Sequence, residues 1–298
     1  MALSASPALR SPQEDGRSCA YCGGTEFRLL HEWEPRHPRN SASITVGYWE
    51  CACKLAIMHP VPTADQLPSE GDWWAPARKE PIRNPGFKRI RVRIQNWMFG
   101  SPQFRLIEQT RRAVQGGTLL DVGCGQGGLL ELAQPYFTCE GLEPSAIAAA
   151  KARAKGFRVM ATTLEESDLP ASAYDVVTMD AVLEHLLDPV FTLSKVHRVL
   201  KPGGVVVIKV PKLWGPAHRM CGREWNGFRV AYHTTMFTGR TLANVLRAAG
   251  FEPLRSPRRD RWLDDILVMW GRKPSDSVLS ADRQPETLHR DQRRSSAA

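Results

Sequence analysis

The sequence predicts an α/β fold built around a mostly parallel sheet. Three observations predict it. Short, largely apolar runs alternate with segments of helical period, a glycine-rich turn joins one such run to a helix, and a Lys-Pro-Gly-Gly stop separates a later helix from another apolar run. Runs apolar on both faces belong to strands covered on both sides. The first strand is Thr118 to Val122, and Leu129 to Leu132 opens the helix beyond the glycine turn. The second strand, Phe137 to Leu142, ends at Glu143, and Ser145 is the N-cap of an alanine-rich helix over 146–155. Arg158 to Ala161 and Tyr174 to Met179 read as the third and fourth strands. Asp188-Pro189, a cap followed by a first-turn proline, starts a helix that Lys201-Pro202-Gly203-Gly204 stops, and Val205 to Val210 is the fifth strand. Thr238 caps a helix ended by Gly250, after which Phe251 to Ser256 and Asp265 to Gly271 form a closing antiparallel hairpin.

The glycine turn is built for a ligand. Gly123, Gly125 and Gly128 fit G-x-G-x-x-G, and the helix behind them offers free N–H groups and the positive end of its dipole. Glu143 stands where a doubly wound, Rossmann-like fold puts the acidic group that accepts from ribose hydroxyls. Both a nicotinamide dinucleotide and another nucleoside cofactor fit this much.

Asp121-x-Gly-x-Gly, Glu143, Tyr174-Asp175-Val176-Val177, Val182-Leu183-Glu184-His185 and Leu200-Lys201-Pro202-Gly203-Gly204 together resemble the class I S-adenosylmethionine-dependent methyltransferases, in matching order over about residues 105–271. More narrowly the chain is similar to bacterial small-molecule methyltransferases with a cysteine-bearing N-terminal segment. In those, a stretch like Tyr232-His233-x-x-x-Phe237-Thr238 and Leu242 to Phe251 follows the fifth strand. The resemblance implies a seven-stranded, Rossmann-like methyltransferase sheet, mostly parallel with an antiparallel C-terminal hairpin, and a small zinc-ribbon-like N-terminal appendage. It also implies S-adenosylmethionine as cofactor. Gly123 and Gly125 would meet its carboxylate and amino groups with Asp121 nearby, and Glu143 would take the ribose diol. Thr163 and Leu164 would flank the adenine, and Asp180 would close over the methionine end.

Four of seven cysteines lie early, as Cys19-x-x-Cys22 and Cys51-Ala52-Cys53. The first pair is a zinc-knuckle half; the second has one intervening residue where two are usual. We read Cys19, Cys22, Cys51 and Cys53 as a structural zinc site, with His31, His37 or His59 as replacement ligands and a decayed site as the alternative. Cys124 reads as a small buried filler, and Cys139 and Cys221 as structural.

These readings divide the chain into a disordered N-terminus over 1–17, a zinc-binding segment over 18–70, a linker and cap helix over 71–112, the S-adenosylmethionine-binding domain over 113–272 and a disordered tail over 273–298. Phe87, Ile90, Ile94, Trp97 and Met98 recur at helical spacing between basic residues, which fits a cap helix or a peripheral membrane contact. A net charge of +9 leaves nucleic acid open as a partner, but the excess gathers at Arg255, Arg258, Arg259, Arg261 and the Arg-rich tail, and no RNA-binding motif accompanies it. No apolar run is of membrane-spanning length, Met1 to Arg17 lacks a secretory apolar core, and a cytoplasmic location is expected.

The expected reaction is methyl transfer to a small-molecule acceptor, most simply a hydroxyl of a sugar, quinone or secondary metabolite. Methylation of RNA or protein, or a non-catalytic protein retaining the fold, are the alternatives. His185, after the fourth strand, is the leading general base, with orientation of its loop as its other possible role. His233 is the second candidate. Trp214, His218, Trp225, Asn226 and Tyr232 lie in the same insertion, as an acceptor surface or as an aromatic plug of the core.

Overall fold

The computed structural model describes residues 11–33, 45–61, 101–222, 225, 227–228, 233–254 and 266–275. The cap-helix stretch 87–98, Asn226, Tyr232, His37, residues 255–265 and the tail beyond 275 lie outside the described residues.

Seven strands form the main sheet: β4 (Thr118–Val122), β5 (Thr138–Leu142), β6 (Arg158–Met160), β7 (Tyr174–Asp180), β8 (Leu200–Pro211), β10 (Glu252–Leu254) and β11 (Ile266–Arg272). Their spatial order is β10-β11-β8-β7-β4-β5-β6. The strands from β8 through β6 pair in parallel, while β11 is antiparallel to both its neighbours. The chain starts at β4, runs outward through β5 and β6, then returns to β7 on the other side. The switch between β4 and β7 opens a crevice at their carboxyl ends, where such sheets bind ligands.

Two-faced burial explains the apolar runs. Successive residues point to opposite faces. Leu119, Val176, Val205 and Val207 pack under α1 (Pro102–Ala113), α2 (Gly128–Ala133) and α3 (Ala146–Ala154). Their neighbours Leu120, Val177, Val206 and Ile208 pack under α4 (Pro189–Val199) and α6 (Gly239–Ala248). The predicted caps hold: Ser145 accepts from the Ala148 N–H, Asp188 from Phe191, and Thr238 forms a capping box with Thr241. Helix α1 begins inside the segment read as linker, on its own signal, the Ser101 cap followed by Pro102.

A second, antiparallel sheet has the order β1-β2-β3-β9, made of β1 (Phe27–Trp33), β2 (Val46–Cys51), β3 (Ala56–His59) and β9 (Thr235–Met236). Strand β9 comes from the far end of the chain, so the cysteine segment shares a sheet with the part of the chain that carries the main sheet. Val46, Tyr48, Ala56, Met58 and Met236 are buried together with Leu213, Trp225 and Phe228. Two segments expected to be disordered are ordered at their inner ends. Residues 11–17 form a turn closed by Arg17 N–H to Pro12 C=O at 2.8 Å, with Asp15 paired to His59 at 2.8 Å. Lys273 donates to the carbonyls of His197 and Leu200, which fastens the start of the tail to the end of α4.

Candidate active site

The glycine turn closes on itself through main-chain bonds. The N–H groups of Gly123 and Cys124 donate to the Leu142 carbonyl, at 2.8 and 3.0 Å, which locks the turn to the end of β5. Gly123, Gly125 and Gly127 have φ of 71°, 56° and 81°. The last of these differs from the G-x-G-x-x-G register, in which Gly128 is the third glycine. Gly127 is the left-handed N-cap of α2, and a Cβ there would lie 3.2 and 3.3 Å from Phe157 and Ala152. A Cβ on Gly128 would meet only Gln103, at 3.8 Å. Gly127→Ala is therefore expected to destabilise the protein by about 1–3 kcal/mol, and Gly128→Ala to be neutral or mildly stabilising. Paired chemical denaturation curves check this.

Carboxylates gather around the turn. Asp121 at the end of β4 is buried and accepts from the Thr178 hydroxyl on β7 at 2.6 Å. Burial, with repulsion from Asp180 and Glu143, pushes its carboxyl up to about 8, against the opposing Thr178 bond and Lys209 charge. Glu143 accepts from the N–H of Gly125 at 2.8 Å through one oxygen and from that of Ser145 at 2.9 Å through the other. It thus fixes both the glycine turn and the cap of α3. Asp180, at the end of β7, pairs with Lys209 on β8. Lys209 was not singled out from the sequence, although a lone cation inside the run Val205 to Val210 was its signal.

After β6, Thr163 accepts from the Glu166 N–H at 3.3 Å, and Leu164 is buried in the main core. Beyond β7, Ala181 takes φ 59° and donates to the Lys209 carbonyl, turning the chain over the end of β8. Val182 then reaches the glycine turn, where a Cβ on Gly123 would come within 2.5 Å of its side chain. Only glycine lets these two loops meet.

Cys124 is a filler, as read. Its sulfur lies where a Cβ on Gly141 would stand, at 2.6 Å, and burial with the charges of Asp121 and Glu143 pushes its thiol far up. Cys139 is half-buried, whereas Cys221 is exposed, so packing does not account for it.

Beyond Val182, a short 3-10 turn (Leu183–His185) carries Glu184 and His185. The His185 and His233 rings lie 4.9 Å apart. His233 is buried with Nδ1 at 2.9 Å from the Gly227 carbonyl, and burial together with His185 pushes it down to about 3. It is neutral throughout the physiological range and too weakly basic to take a proton there, so of the two histidines His185 is left as the base candidate. Glu184 is buried, one of its oxygens has no hydrogen-bond partner, and burial pushes its carboxyl up to about 8. Ligand atoms of Glu184, His185 and His233 lie within 4.8 Å of one another, a donor set that suits a divalent cation.

Most of the aromatics of the insertion form a plug. His218, Trp225 and Phe228 pack edge to face beside Tyr48 and His31, while Trp214 stays half-exposed against His218.

In the N-terminal module, the sulfurs of Cys19, Cys22, Cys51 and Cys53 lie within 4.8 Å of one another. Cys19 and Cys53 are 3.7 Å apart, Cys22 and Cys51 3.5 Å. Four thiolates around a zinc ion at a bond length of about 2.3 Å would stand about 3.8 Å apart, so the donor set fits. The one-residue spacing is accommodated in a tight turn closed by the Lys54 N–H donating to the Cys51 carbonyl at 2.7 Å. His59 is engaged with Asp15 and His31 stacks on Phe228, so neither stands in for a cysteine.

The profile of the methyltransferase domain family matches residues 96–256, more than half the chain. The protein belongs to that family. A ubiquinone biosynthesis O-methyltransferase of Bradyrhizobium sp. (strain ORS 278) is 34% identical over 136 residues, covering 43% of this chain and 49% of that one. A probable S-adenosylmethionine-dependent methyltransferase of Mycolicibacterium smegmatis is 34% identical over 144 residues, covering 46% and 52%. The chain thus spans about half the length of these curated relatives. Among solved structures, the 1,6-didemethyltoxoflavin-N1-methyltransferase of Burkholderia thailandensis, with its substrate and S-adenosylhomocysteine bound, aligns with a TM-score of 0.46 at 20% identity. It covers 82% of this chain and all of that one.

Proposed function

We propose that this protein transfers a methyl group from S-adenosylmethionine to a hydroxyl of a small-molecule acceptor, of which a quinone-type phenol is the first to test. One observation carries the donor assignment. Asp121, Glu143, Asp180 and Glu184 surround the end of the β4/β7 crevice, and the charge of Lys209 acts on Asp121, Asp180 and Glu184. Such a site favours a ligand bearing positive charge, and S-adenosylmethionine brings both a sulfonium and an ammonium. The names of the ubiquinone-pathway relatives support the choice of acceptor.

In this reading the glycine turn at Gly123 and Gly125, whose N–H groups are already bonded to Leu142 and Glu143, borders the amino-acid end of the donor with its backbone, and Asp121 stands beside it. Glu143 takes the ribose diol, Thr163 and Leu164 border the adenine, and Asp180 closes over the methionine end. When bound, the donor supplies an electrophilic methyl carbon. His185 removes the acceptor proton, and His233, tied to the Gly227 carbonyl, packs against His185 to orient it. Cys19, Cys22, Cys51 and Cys53 hold a structural zinc in the segment 18–70, and 113–272 is the catalytic domain.

Calorimetry with S-adenosylmethionine tests the donor, and mass detection of methylated product from a panel of catechols and hydroquinones tests the acceptor. Absence of donor binding would leave a non-catalytic protein. Donor binding with methylation confined to RNA or protein substrates would move the acceptor class.

A second reading of Glu184, His185 and His233 is that they hold a divalent cation that binds the acceptor oxygen, favoured by their clustered donor atoms. Turnover abolished by brief chelation and restored by Mg2+ or Mn2+, but not by Zn2+, would select it. Turnover indifferent to chelation would select the base.

A further inference from the structure

The thiolate cluster is connected to the acceptor side through a short sequence of direct contacts. Cys51 is the last residue of β2, its N–H donates to the Leu55 carbonyl at 2.9 Å, and the turn it closes runs straight into β3. Strand β3 pairs with β9 by Ala56 opposite Met236 and Ile57 opposite Thr235, and the Met58 N–H donates to the Thr234 carbonyl at 2.8 Å. Thr234 directly follows His233. The hydroxyls of Thr234 and Thr235 both donate to the Leu186 carbonyl, at 3.0 and 2.9 Å, immediately after His185. A further bond from Thr234 reaches the Glu184 carbonyl at 3.4 Å. Cys19, Cys51 and Leu55 are buried in the same cluster as Met179, Leu183 and Phe237.

β9 is two residues long. A strand so short has too few ladder bonds to hold its own position, so its place depends on β3. β3 in turn is four residues long and begins at the cysteine turn. Two buried threonine hydroxyls on one loop carbonyl are an unusual local investment, and they make β9 the clamp of the 183–186 loop.

We propose that metal occupancy of the four-cysteine site positions the acceptor-side histidines. The bound ion holds the Cys51–Leu55 turn, the turn holds β3, β3 holds β9, and β9 holds His233 directly and the His185 loop through Thr234 and Thr235. The cysteine module is then a positioning element of the catalytic site as well as a local fold staple. The inference rests on the zinc reading above. The glycine turn is held by its own bonds to Leu142 and Glu143 and meets the adjoining loop at Val182, so metal loss should alter the acceptor side and largely spare donor binding.

The experiment uses the full chain, first assayed for zinc. Zinc is removed with a chelator under reducing conditions. Amide hydrogen exchange, the histidine ring signals in NMR and S-adenosylmethionine calorimetry are then compared before and after. The expected result is a loss of protection of about tenfold or more at the Met58 amide and across 183–186, with the His185 and His233 ring signals shifted. Donor affinity should change by less than about twofold, because Asp121 and Glu143 are held by Thr178, Gly125 and Ser145, outside the perturbed segments. The Thr234→Val/Thr235→Val variant supplies the second arm. It should keep its zinc, show raised exchange at 183–186 from the outset, and no longer respond there to chelation.

Zinc absent from the purified protein, with all four thiols titratable, would overturn the zinc reading itself. Zinc bound and removed with exchange at 183–186 unchanged would overturn the coupling alone. So would loss of donor binding together with the zinc, because the effect would then be on the whole fold, and so would a Thr-to-Val variant that still responds as the parent does.

Discussion

Asp121→Asn is expected to weaken S-adenosylmethionine binding about 10- to 100-fold, the range for losing a charged hydrogen-bond partner, while stabilising the ligand-free protein above neutral pH. The two effects have one cause. Asp121 is buried, faces the other carboxylates of the crevice, and has its carboxyl pushed up to about 8. In the unfolded chain it ionises at an ordinary carboxylate value. A folded value raised above the unfolded one means that the folded state holds the proton longer. The stabilisation is therefore fully present below the unfolded pKa and is lost as pH rises through the folded one. Across about pH 4 to 8 the ligand-free protein should lose on the order of 3–5 kcal/mol through this group alone. Asn keeps an oxygen to accept the Thr178 hydroxyl but carries no charge, so its variant should lack this slope. A cationic donor relieves the same repulsion, so the parent should gain most stability from it near pH 8, and the variant should gain little. Thermal shifts over pH with and without S-adenosylmethionine check this. A variant with the parent's pH slope, or with undiminished donor binding, would remove Asp121 from the role.

Whatever depends on near-neighbour pattern was legible in the sequence. The strands β4, β5, β7 and β8 could be read because both their faces are covered, and the caps at Ser145, Asp188 and Thr238 because a cap is a local hydrogen bond. Asp121 could be singled out from the Asp-x-Gly-x-Gly resemblance and Glu143 from its place at the end of the second strand. Features set by distant partners were hidden. β9 has two residues, no periodicity of its own, and partners in β3 far upstream in the chain. Without β9 the cysteine segment looks separable from the catalytic body, although the two share a sheet. The third structural glycine was misplaced by one, because a motif register does not tell which residue must turn left-handed to cap α2; the packing of Phe157 and Ala152 does. Lys209 and Thr178 were readable as polar residues within apolar strands, but their roles follow only from pairing β8 and β4 with β7. The Cys-x-Cys spacing looked defective by count. In three dimensions the tight turn closed by the Lys54 N–H brings both sulfurs to one point.

The contest between the two histidines has a measurable outcome. His185→Ala is expected to lower turnover about 10²- to 10⁴-fold, the usual contribution of a positioned general base, with donor affinity unchanged because the donor contacts lie at the glycine turn. A base must be neutral to act, so an acid limb that this base contributes to the parent's pH profile should vanish in the variant. His233→Ala should behave differently. Burial and the neighbouring ring hold His233 uncharged down to about pH 3, so it contributes no limb of its own in the working range. Removing it leaves the Gly227 carbonyl without its partner and His185 without that ring beside it, so turnover should fall while the acid limb persists. His233→Gln, which can restore a donor to Gly227, should recover part of the loss. If instead the acid limb vanishes in His233→Ala and persists in His185→Ala, the two roles are exchanged. If neither variant changes turnover, the proton leaves the acceptor without help from this pair.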